Sequence, residues 1–484
     1  MHDARHVSDK PVLVVDLDGT LVRSDLLFES LWSALSSNPL SALSALRSGY
    51  TQRARLKQDL ALKGPVDVTR LPYNPDVLAE IAKWRTGGGR VALVTASNQI
   101  LAEQIASHIG LFDEVHGSDA EHNLKGPAKA AFLLERYGAK NYVYIGDAAA
   151  DLPVWKDAAQ IVTVNAPAGL RARADALGPE TRHLGNGAVP VWDWLRALRP
   201  HQWVKNVLIF VPILASHAVS WPNLLTSLLA FVAFCLVASS VYLTNDLLDL
   251  SADRAHPRKK RRPLAAGDIP IAPASGMAVA LLVAGLGLAL MLGPFFAATL
   301  AIYLLITTAY SLYLKRRTIV DIWVLSILYS MRIAAGAAAT GIVPSVWLMA
   351  FSIFFFFSLA AVKRQAELVD TADNDTLDIR RRGYYREDLL LVAVMAISSG
   401  YVSVLVLALY IRTPFIDQLY GTPPILLGIC LVVLYWISRV VMVTHRGHMH
   451  DDPLVYAMRD RVSQICVALC VLIGAFAYGL EGWI

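Results

Sequence analysis

Asn245-Asp246-Leu247-Leu248-Asp249-Leu250-Ser251-Ala252-Asp253-Arg254 stands at the end of a long apolar run, and the chain continues through His256, Pro257, Lys259, Lys260, Arg262 and Pro263 to Gly267. Carboxylates are costly at the end of a membrane-length segment. On a helix, Asp246, Asp249 and Asp253 fall at i, i+3 and i+7 and share one face. Three carboxylates that close repel one another unless a cation holds them. Oxygen ligands of this kind suit Mg²⁺, which usually brings phosphate oxygens with it. A row of basic residues, Arg258 to Arg262, follows at once. Metal carboxylates beside a basic cluster, at a membrane surface, predict a site for a diphosphate substrate.

The surrounding composition fits a membrane setting. The chain has 484 residues, 55% of them hydrophobic, with a mean hydropathy of +0.46. The apolar residues concentrate beyond about residue 202, where runs of roughly 20 residues recur, the length that spans a bilayer as helix. Nine spans are expected, at 203–219, 224–248, 272–293, 295–314, 319–341, 344–362, 388–411, 424–444 and 462–482. Their connections alternate in charge. One side carries Arg254 to Arg262, then Lys315 to Arg317, then Lys363, Arg364, Arg380, Arg381, Arg382 and Arg386, then Arg446, Arg459 and Arg461; the other carries Arg412. The positive-inside rule makes the first side cytoplasmic, which places the N-terminal region in the cytoplasm, Ile484 outside, and the whole in the plasma membrane as a multi-pass protein. The net charge of +5 is small for this length and its basic residues lie at membrane edges, so nucleic acid is not an expected partner. Cys235, Cys430, Cys466 and Cys470 all lie in apolar runs and form neither a disulfide framework nor a zinc pattern. No signal peptide is visible in Met1 to Lys10.

Further polar residues gather towards the same side. Asp321 opens the fifth span, and Arg332 follows three helical turns later on nearly the same face. Tyr310 and Lys315 close the fourth span, Lys363, Arg364 and Glu367 end the sixth, and Asp451, Asp452, Arg459, Asp460 and Arg461 precede the ninth. Taken singly, Lys363 with Glu367 reads equally as an i,i+4 pair and Arg364 as a snorkelling anchor. A transporter with a midplane ion site is the weaker alternative, because the charges gather at one face.

This half resembles the UbiA superfamily of intramembrane prenyltransferases, which have nine helices and two Asp-rich motifs. The first motif matches at Asn245, Asp246, Asp249 and Asp253. The second has Asp321 but Leu325 in its partner position. Other stretches resemble the decaprenyl-phosphate phosphoribosyltransferase branch: Arg199 to Asn206, Asp253 to Pro257, Arg262-Pro263 with Gly267, Tyr310 with Lys315, Arg332 with Gly336, and Lys363 to Leu368. The resemblance covers roughly 196–484. It implies phosphoribosyl pyrophosphate as donor, a polyprenyl phosphate in the lipid bilayer as acceptor, and Mg²⁺ on Asp246, Asp249 and Asp253. Lys205, Asn245, Arg254, His256, Lys259, Arg262, Tyr310, Lys315, Asp321, Arg332, Lys363 and Arg364 are then the expected substrate contacts. The alternative is a prenyltransferase using a prenyl diphosphate donor, with a phosphatase of separate substrate; the missing second Asp argues against it.

Residues 1–195 read as a soluble α/β domain. The apolar run Val12 to Val15 ends in Asp16-Leu17-Asp18-Gly19-Thr20, Val91 to Val94 ends at Thr95, and Tyr142 to Ile145 ends at Gly146-Asp147 with Asp151 four residues on. Open α/β sheets place ligands just beyond such strand ends. Together these motifs resemble the haloacid dehalogenase-type phosphatases, which implies a Rossmann-like fold with a small helical cap, here about 26–80. By that resemblance Asp16 is the nucleophile and Asp18 the general acid/base. Thr95 and Lys125 (or Lys129) hold the phosphoryl group, and Mg²⁺ is bound among Asp16, Asp18, Asp147 and Asp151. The two halves then suggest consecutive steps: transfer of 5-phosphoribose to the lipid, then removal of the 5-phosphate, giving a ribose donor for cell-envelope polymers. The sequence does not specify an oligomeric state; a homo-oligomer is compatible with it.

Overall fold

In the computed structural model the described residues are 10–48, 56, 59–60, 62–119, 123–178, 180–185, 187–372, 383–449 and 452–479. Of the residues singled out above, Arg380, Arg381, Arg382, Asp451 and Ile484 lie outside them. The chain divides into two compact units, Met1–Leu198 with Tyr242–Ala278, and Arg199–Val241 with Val279–Ile484.

The first unit is built on a six-stranded sheet of order β3-β2-β1-β4-β5-β6, with every neighbouring pair parallel. The strands are β1 (Val12–Val15), β2 (Val91–Asn98), β3 (Glu114–Ser118), β4 (Tyr142–Gly146), β5 (Gln160–Val164) and β6 (Glu180–Leu184). β1 is central and its apolar run is covered on both faces: Leu13 and Val15 enter one core cluster, Val14 the other. The edge strands β3 and β6 carry Glu114, His116, Glu180 and Arg182 and stay partly exposed, as edges that avoid further pairing do. Because β1, β2 and β4 are parallel neighbours, with Val15 level with Leu93 and with Ile145, their C-terminal ends open at one edge. Above that edge lies the cap helix Leu26–Ser37, its first turn held by the Asp25 carboxylate, which accepts from the Leu27 and Phe28 N–H groups. A second cap helix, Pro39–Ser48, follows.

Residues Tyr242–Ala278 belong to this same unit, although a linear reading assigns them to the membrane half. They are fastened to the cap. The Arg254 guanidinium donates to both carboxylate oxygens of Glu29 at 2.6 and 3.0 Å, and Trp32 Nε1 donates to Ser275 Oγ at 2.9 Å.

Eight helices among the described residues are long and apolar enough to cross a membrane: Trp221–Leu248, Ile271–Met291, Pro294–Leu312, Val320–Thr340, Val346–Asp370, Arg386–Ile411, Pro423–His445 and Arg461–Tyr478. Large apolar side chains such as Leu290, Met291, Phe295, Leu405, Leu431 and Val471 stay exposed on them, a surface that suits lipid rather than water. The protein is therefore a multi-pass membrane protein.

The expected first span, 203–219, takes another form. Pro200–Phe210 is a 3₁₀ helix and Val211–Ala215 a short α-helix. Arg199 enters in the left-handed region (φ 54°) and Pro212 opens the short helix, so no regular helix of span length forms. At about 2.0 Å rise per residue in the first piece and 1.5 Å in the second, the two together still reach roughly 30 Å, the thickness of a hydrocarbon core. The second unit packs this segment closely. A Cβ on Gly336 would stand 2.0 Å from the Ile209 carbonyl oxygen, so only glycine lets the two backbones approach.

Candidate active sites

At the open edge of the sheet, Asp16 follows β1, while Asp147 and Asp151 follow β4. One ligand oxygen from each lies within 4.8 Å of the others. Among the described residues they are the group of three that could grip a metal ion. Lys129 is buried among them, with Nζ 2.9 Å from Asp16 and 4.0 Å from Asp151, and it donates to Tyr144 Oη at 2.8 Å. Tyr144 in turn donates to Asp151 at 3.0 Å, and Thr20 to Asp147 at 3.2 Å. Gly19 has φ +71°, and a Cβ there would stand 2.2 Å from Asp147 Oδ2; the glycine of the Asp-x-Asp-Gly-Thr run lets the loop pass under the third carboxylate. Burial raises Asp147 well above the usual carboxylate range, and the Asp16 and Asp151 charges raise it further. Burial and then Asp16 push Asp151 up to about 6, against the pull of Lys129. Three crowded carboxylates facing one ammonium fit a divalent cation with oxygen preference.

Three expectations change here. Lys129, not Lys125, is the lysine among the carboxylates. Gly126 turns the chain at φ 56° and Pro127 starts the helix Pro127–Tyr137, so Lys129 faces the sheet while Lys125 stays exposed on the rim of the same cavity. Asp18 is not a member of the metal group. Its oxygens accept from the Leu26 N–H at 2.8 Å and from the Ser97 hydroxyl, at the base of the cap. Burial, then the Asp25 and Asp16 charges, push Asp18 up to about 7, which suits a proton donor. Thr95 is fully buried, accepting from the Ser97 N–H at 3.0 Å; of the two, Ser97 is the one that lines the cavity.

The Asp-rich stretch is not one continuous helix. The helix Trp221–Leu248 ends before Asp249, which stands just ahead of a new helix, Leu250–Ala255. Asp246 and Asp253 nevertheless converge, both on Nη1 of Arg262, at 3.1 Å for Asp246. Asp249 lies at the break, and the three do not close into a three-ligand group. Burial raises Asp253 to about 6, with Arg262 opposing and Asp246 adding to the rise. Asn245 supplies its carbonyl to the Asp249 N–H at 2.9 Å. His256 Nδ1 accepts from the Arg258 and Lys259 N–H groups and shapes the turn. Arg254, expected at the substrate, is spent on Glu29 and on the Ala265 carbonyl.

In the second unit the remaining residues form two clusters. Asp452 is buried, 2.7 Å from Lys205 Nζ and 3.3 Å from Lys363 Nζ, and accepts from the Tyr329 hydroxyl at 2.6 Å. Burial alone would raise its carboxyl, but Lys205 and Lys363 hold it below the ordinary range. Arg332 lies over the rings of Phe234, Tyr303 and Tyr329 and donates to Asn206 Oδ1 at 2.9 Å. The other cluster is Asp321, fully buried, which pairs with Arg364 and accepts from Tyr384 Oη at 2.6 Å; Arg364 also pairs with Glu367. Asp321 and Arg332 thus serve different clusters despite their similar helical phase. Tyr310, partly buried against the core, lies near enough to Arg364 to interact with it, and Lys315 stands in the 3₁₀ turn Leu314–Arg316. Asn206, Tyr303, Tyr329, Tyr384 and Asp452 were absent from the expected contacts; a signal for Asp452 was its place before Pro453, where its side chain caps the helix Pro453–Arg459.

Comparison with known proteins agrees with both halves. The model of the UbiA prenyltransferase family matches residues 207–459, and that of the haloacid dehalogenase-like hydrolases matches residues 13–156. The chain is 38% identical over 460 residues to the uncharacterized protein y4nM of Sinorhizobium fredii, covering 94% of this chain and 89% of the relative. It is 37% identical over 281 residues to nodulation protein NoeC of Azorhizobium caulinodans, covering 58% and 91%. It is 42% identical over 179 residues to a decaprenyl-phosphate phosphoribosyltransferase of Mycobacterium tuberculosis, covering 36% and 59%. Matched in this way over residues 207–459, the chain belongs to the UbiA prenyltransferase family and carries a haloacid dehalogenase-like hydrolase domain ahead of its membrane region.

Proposed function

We propose that the membrane region transfers 5-phosphoribose from phosphoribosyl pyrophosphate to a polyprenyl phosphate, and that the hydrolase domain then removes the 5-phosphate. The observation that carries the donor assignment is the pairing of Asp321. With Arg364 and Tyr384 on it, and Leu325 in place of a second acid, that helix offers no pair of free carboxylates for a prenyl diphosphate. Lys205, Lys363 and Arg332 instead supply cations suited to a donor with an additional phosphate. The Mycobacterium relative, named a decaprenyl-phosphate phosphoribosyltransferase, supports the same reading.

In the transfer, a phosphate oxygen of the lipid attacks ribose C1, the bond from C1 to the pyrophosphate oxygen breaks, and pyrophosphate leaves. Asp246 and Asp253, which already converge on a cationic nitrogen, would hold Mg²⁺, whose charge would offset that of the pyrophosphate. Arg262, displaced from them, would turn to phosphate. In the hydrolase, Asp16 attacks phosphorus and the ester oxygen leaves with a proton from Asp18. Water then attacks the aspartyl phosphate, giving its proton to Asp18 and releasing inorganic phosphate. Lys129 and Ser97 steady the phosphoryl oxygens. Asp16, Asp147 and Asp151 would hold a second Mg²⁺, which offsets the charge of the phosphoryl group.

The soluble domain, about residues 1–195, lies in the cytoplasm by the charge of the neighbouring loops, and the membrane is the plasma membrane. The test is to incubate the purified protein with labelled phosphoribosyl pyrophosphate, polyprenyl phosphate and Mg²⁺, and in parallel with labelled prenyl diphosphate and an aromatic acid. Label is expected in the lipid from the first donor and not in the aromatic acid from the second. The reverse result would establish the prenyl-donor alternative.

A further inference from the structure

The cavity that holds Asp16, Asp18 and Lys129 measures about 940 Å³, far more than a phosphoryl group occupies. Its outer wall is made by Gly267, Asp268 and Ile271 of the segment Tyr242–Ala278, together with Arg23 and Asp193. This wall is fixed. The Asp268 N–H donates to the Pro263 carbonyl at 2.9 Å, and the Arg23 N–H to the Pro72 carbonyl at 2.9 Å. Gly267 fits so closely that a Cβ there would stand 2.9 Å from the side chains of both Arg23 and Pro72.

The polar groups of the wall define what suits it. Asp268 and Asp193 are acceptors near enough to interact. Burial first, and then the Asp193 charge, raise the Asp268 carboxyl, while Arg23 and Arg196 oppose the rise. Arg196 also pairs with Asp193 at 3.3 Å. Arg196, which does not itself line the cavity, offsets Asp193, and Arg23 offsets Asp268, so an ammonium gains little here over a neutral donor. The Arg23 Nε is buried without a hydrogen-bond partner among the described residues. A plain alkyl group placed here would leave these groups dehydrated and unmatched, which is costly. Hydroxyl groups donate to the acids and accept from Arg23 at once.

We propose that this wall, contributed in part by the segment Tyr242–Ala278, is the leaving-group pocket of the hydrolase and selects phosphate monoesters of neutral polyols, the class that includes a sugar 5-phosphate. The proposal deepens the reading above by naming what the hydrolase site accepts. The full-length protein in detergent with Mg²⁺ is given D-ribose 5-phosphate or n-pentyl phosphate, and released phosphate is measured. The wild type is expected to favour ribose 5-phosphate in kcat/KM. Asp268→Ala and, separately, Arg23→Gln are expected to lower that preference about tenfold or more through KM. Thermal unfolding of each variant establishes that it is folded, and if one fails to fold the other decides. A wild type with no preference, or a preference unchanged in the folded variants, would overturn the proposal. A shifted preference with no dephosphorylation of the lipid product would reject the lipid route alone; lipid dephosphorylation with an unchanged preference would reject the polyol wall alone.

Discussion

Lys129→Met tests the arrangement of the hydrolase site most directly. The ammonium lies 2.9 Å from Asp16 and 4.0 Å from Asp151, with only 3% of the lysine side chain and 13% of that of Asp16 exposed. At an effective dielectric near 20 those attractions are about 6 and about 4 kcal/mol before the cost of dehydrating the ions is subtracted. Removing one partner of a buried pair typically costs about 3–5 kcal/mol. If that loss falls on the transition state, kcat/KM for a phosphate ester drops by roughly two to four powers of ten. Asp151 also loses the charge that holds it down, so the acidic limb of the pH–rate profile should move to higher pH by about 1 unit or more. Lys125→Met, on the exposed rim, should change the rate by only about twofold. The assay is phosphate release from pH 5 to 9 at saturating Mg²⁺ for both variants. A crippled Lys125→Met beside an active Lys129→Met would refute the assignment.

Three further outcomes are expected. Asp16→Asn keeps the shape of the site but removes the nucleophile, so the lipid product should be heavier than the wild-type product by one phosphoryl group; mass spectrometry that finds the same lipid in both proteins would separate the two activities. Asp452→Asn leaves Lys205 and Lys363 facing each other without their shared carboxylate, and should lower lipid labelling by about a hundredfold or more while phosphate release from small esters continues; undiminished labelling would remove this cluster from the transfer reaction. Asp18 and Asp151 are raised in the folded state to about 7 and about 6, so the folded protein holds more protons than the unfolded chain between roughly pH 4 and 7, and stability without metal should fall as pH rises through that window. Mg²⁺ should therefore raise the unfolding temperature more at pH 8 than at pH 5.5, and an equal rise at both would contradict the carboxylate cluster as its ligand.

The strand ends of the hydrolase were legible because the apolar runs stop at the edge of the site: Val15 before Asp16, Gly146 before Asp147, and Val94 before Thr95, two residues short of Ser97, which lines the cavity. Spacing could not choose between Lys125 and Lys129, since the choice depends on how Gly126 turns the chain before the helix begins. The Asp-rich stretch was visible as a cluster, but its periodicity assumed one unbroken helix; the chain turns at Asp249, while Asp246 and Asp253 still converge on Arg262. Partners distant in sequence were beyond any local pattern. Asp452 meets Lys205 across 247 positions, and Arg254 meets Glu29 across 225.

That last pair bears on how the protein can be divided. Glu29 and Arg254 have side chains only 5% and 7% exposed, and Ser24 adds a third bond to the same carboxylate. A hydrolase expressed as residues 1–198 would lose the guanidinium and keep the buried acid, along with an open side where Gly267 to Ile271 belong. Gene fission between the two activities is therefore not a neutral event for this architecture. A lineage that separated them would need to replace Glu29 and rebuild one wall of the hydrolase, and chimaeras that exchange hydrolase domains between relatives should work only when Tyr242–Ala278 travels with the domain it completes.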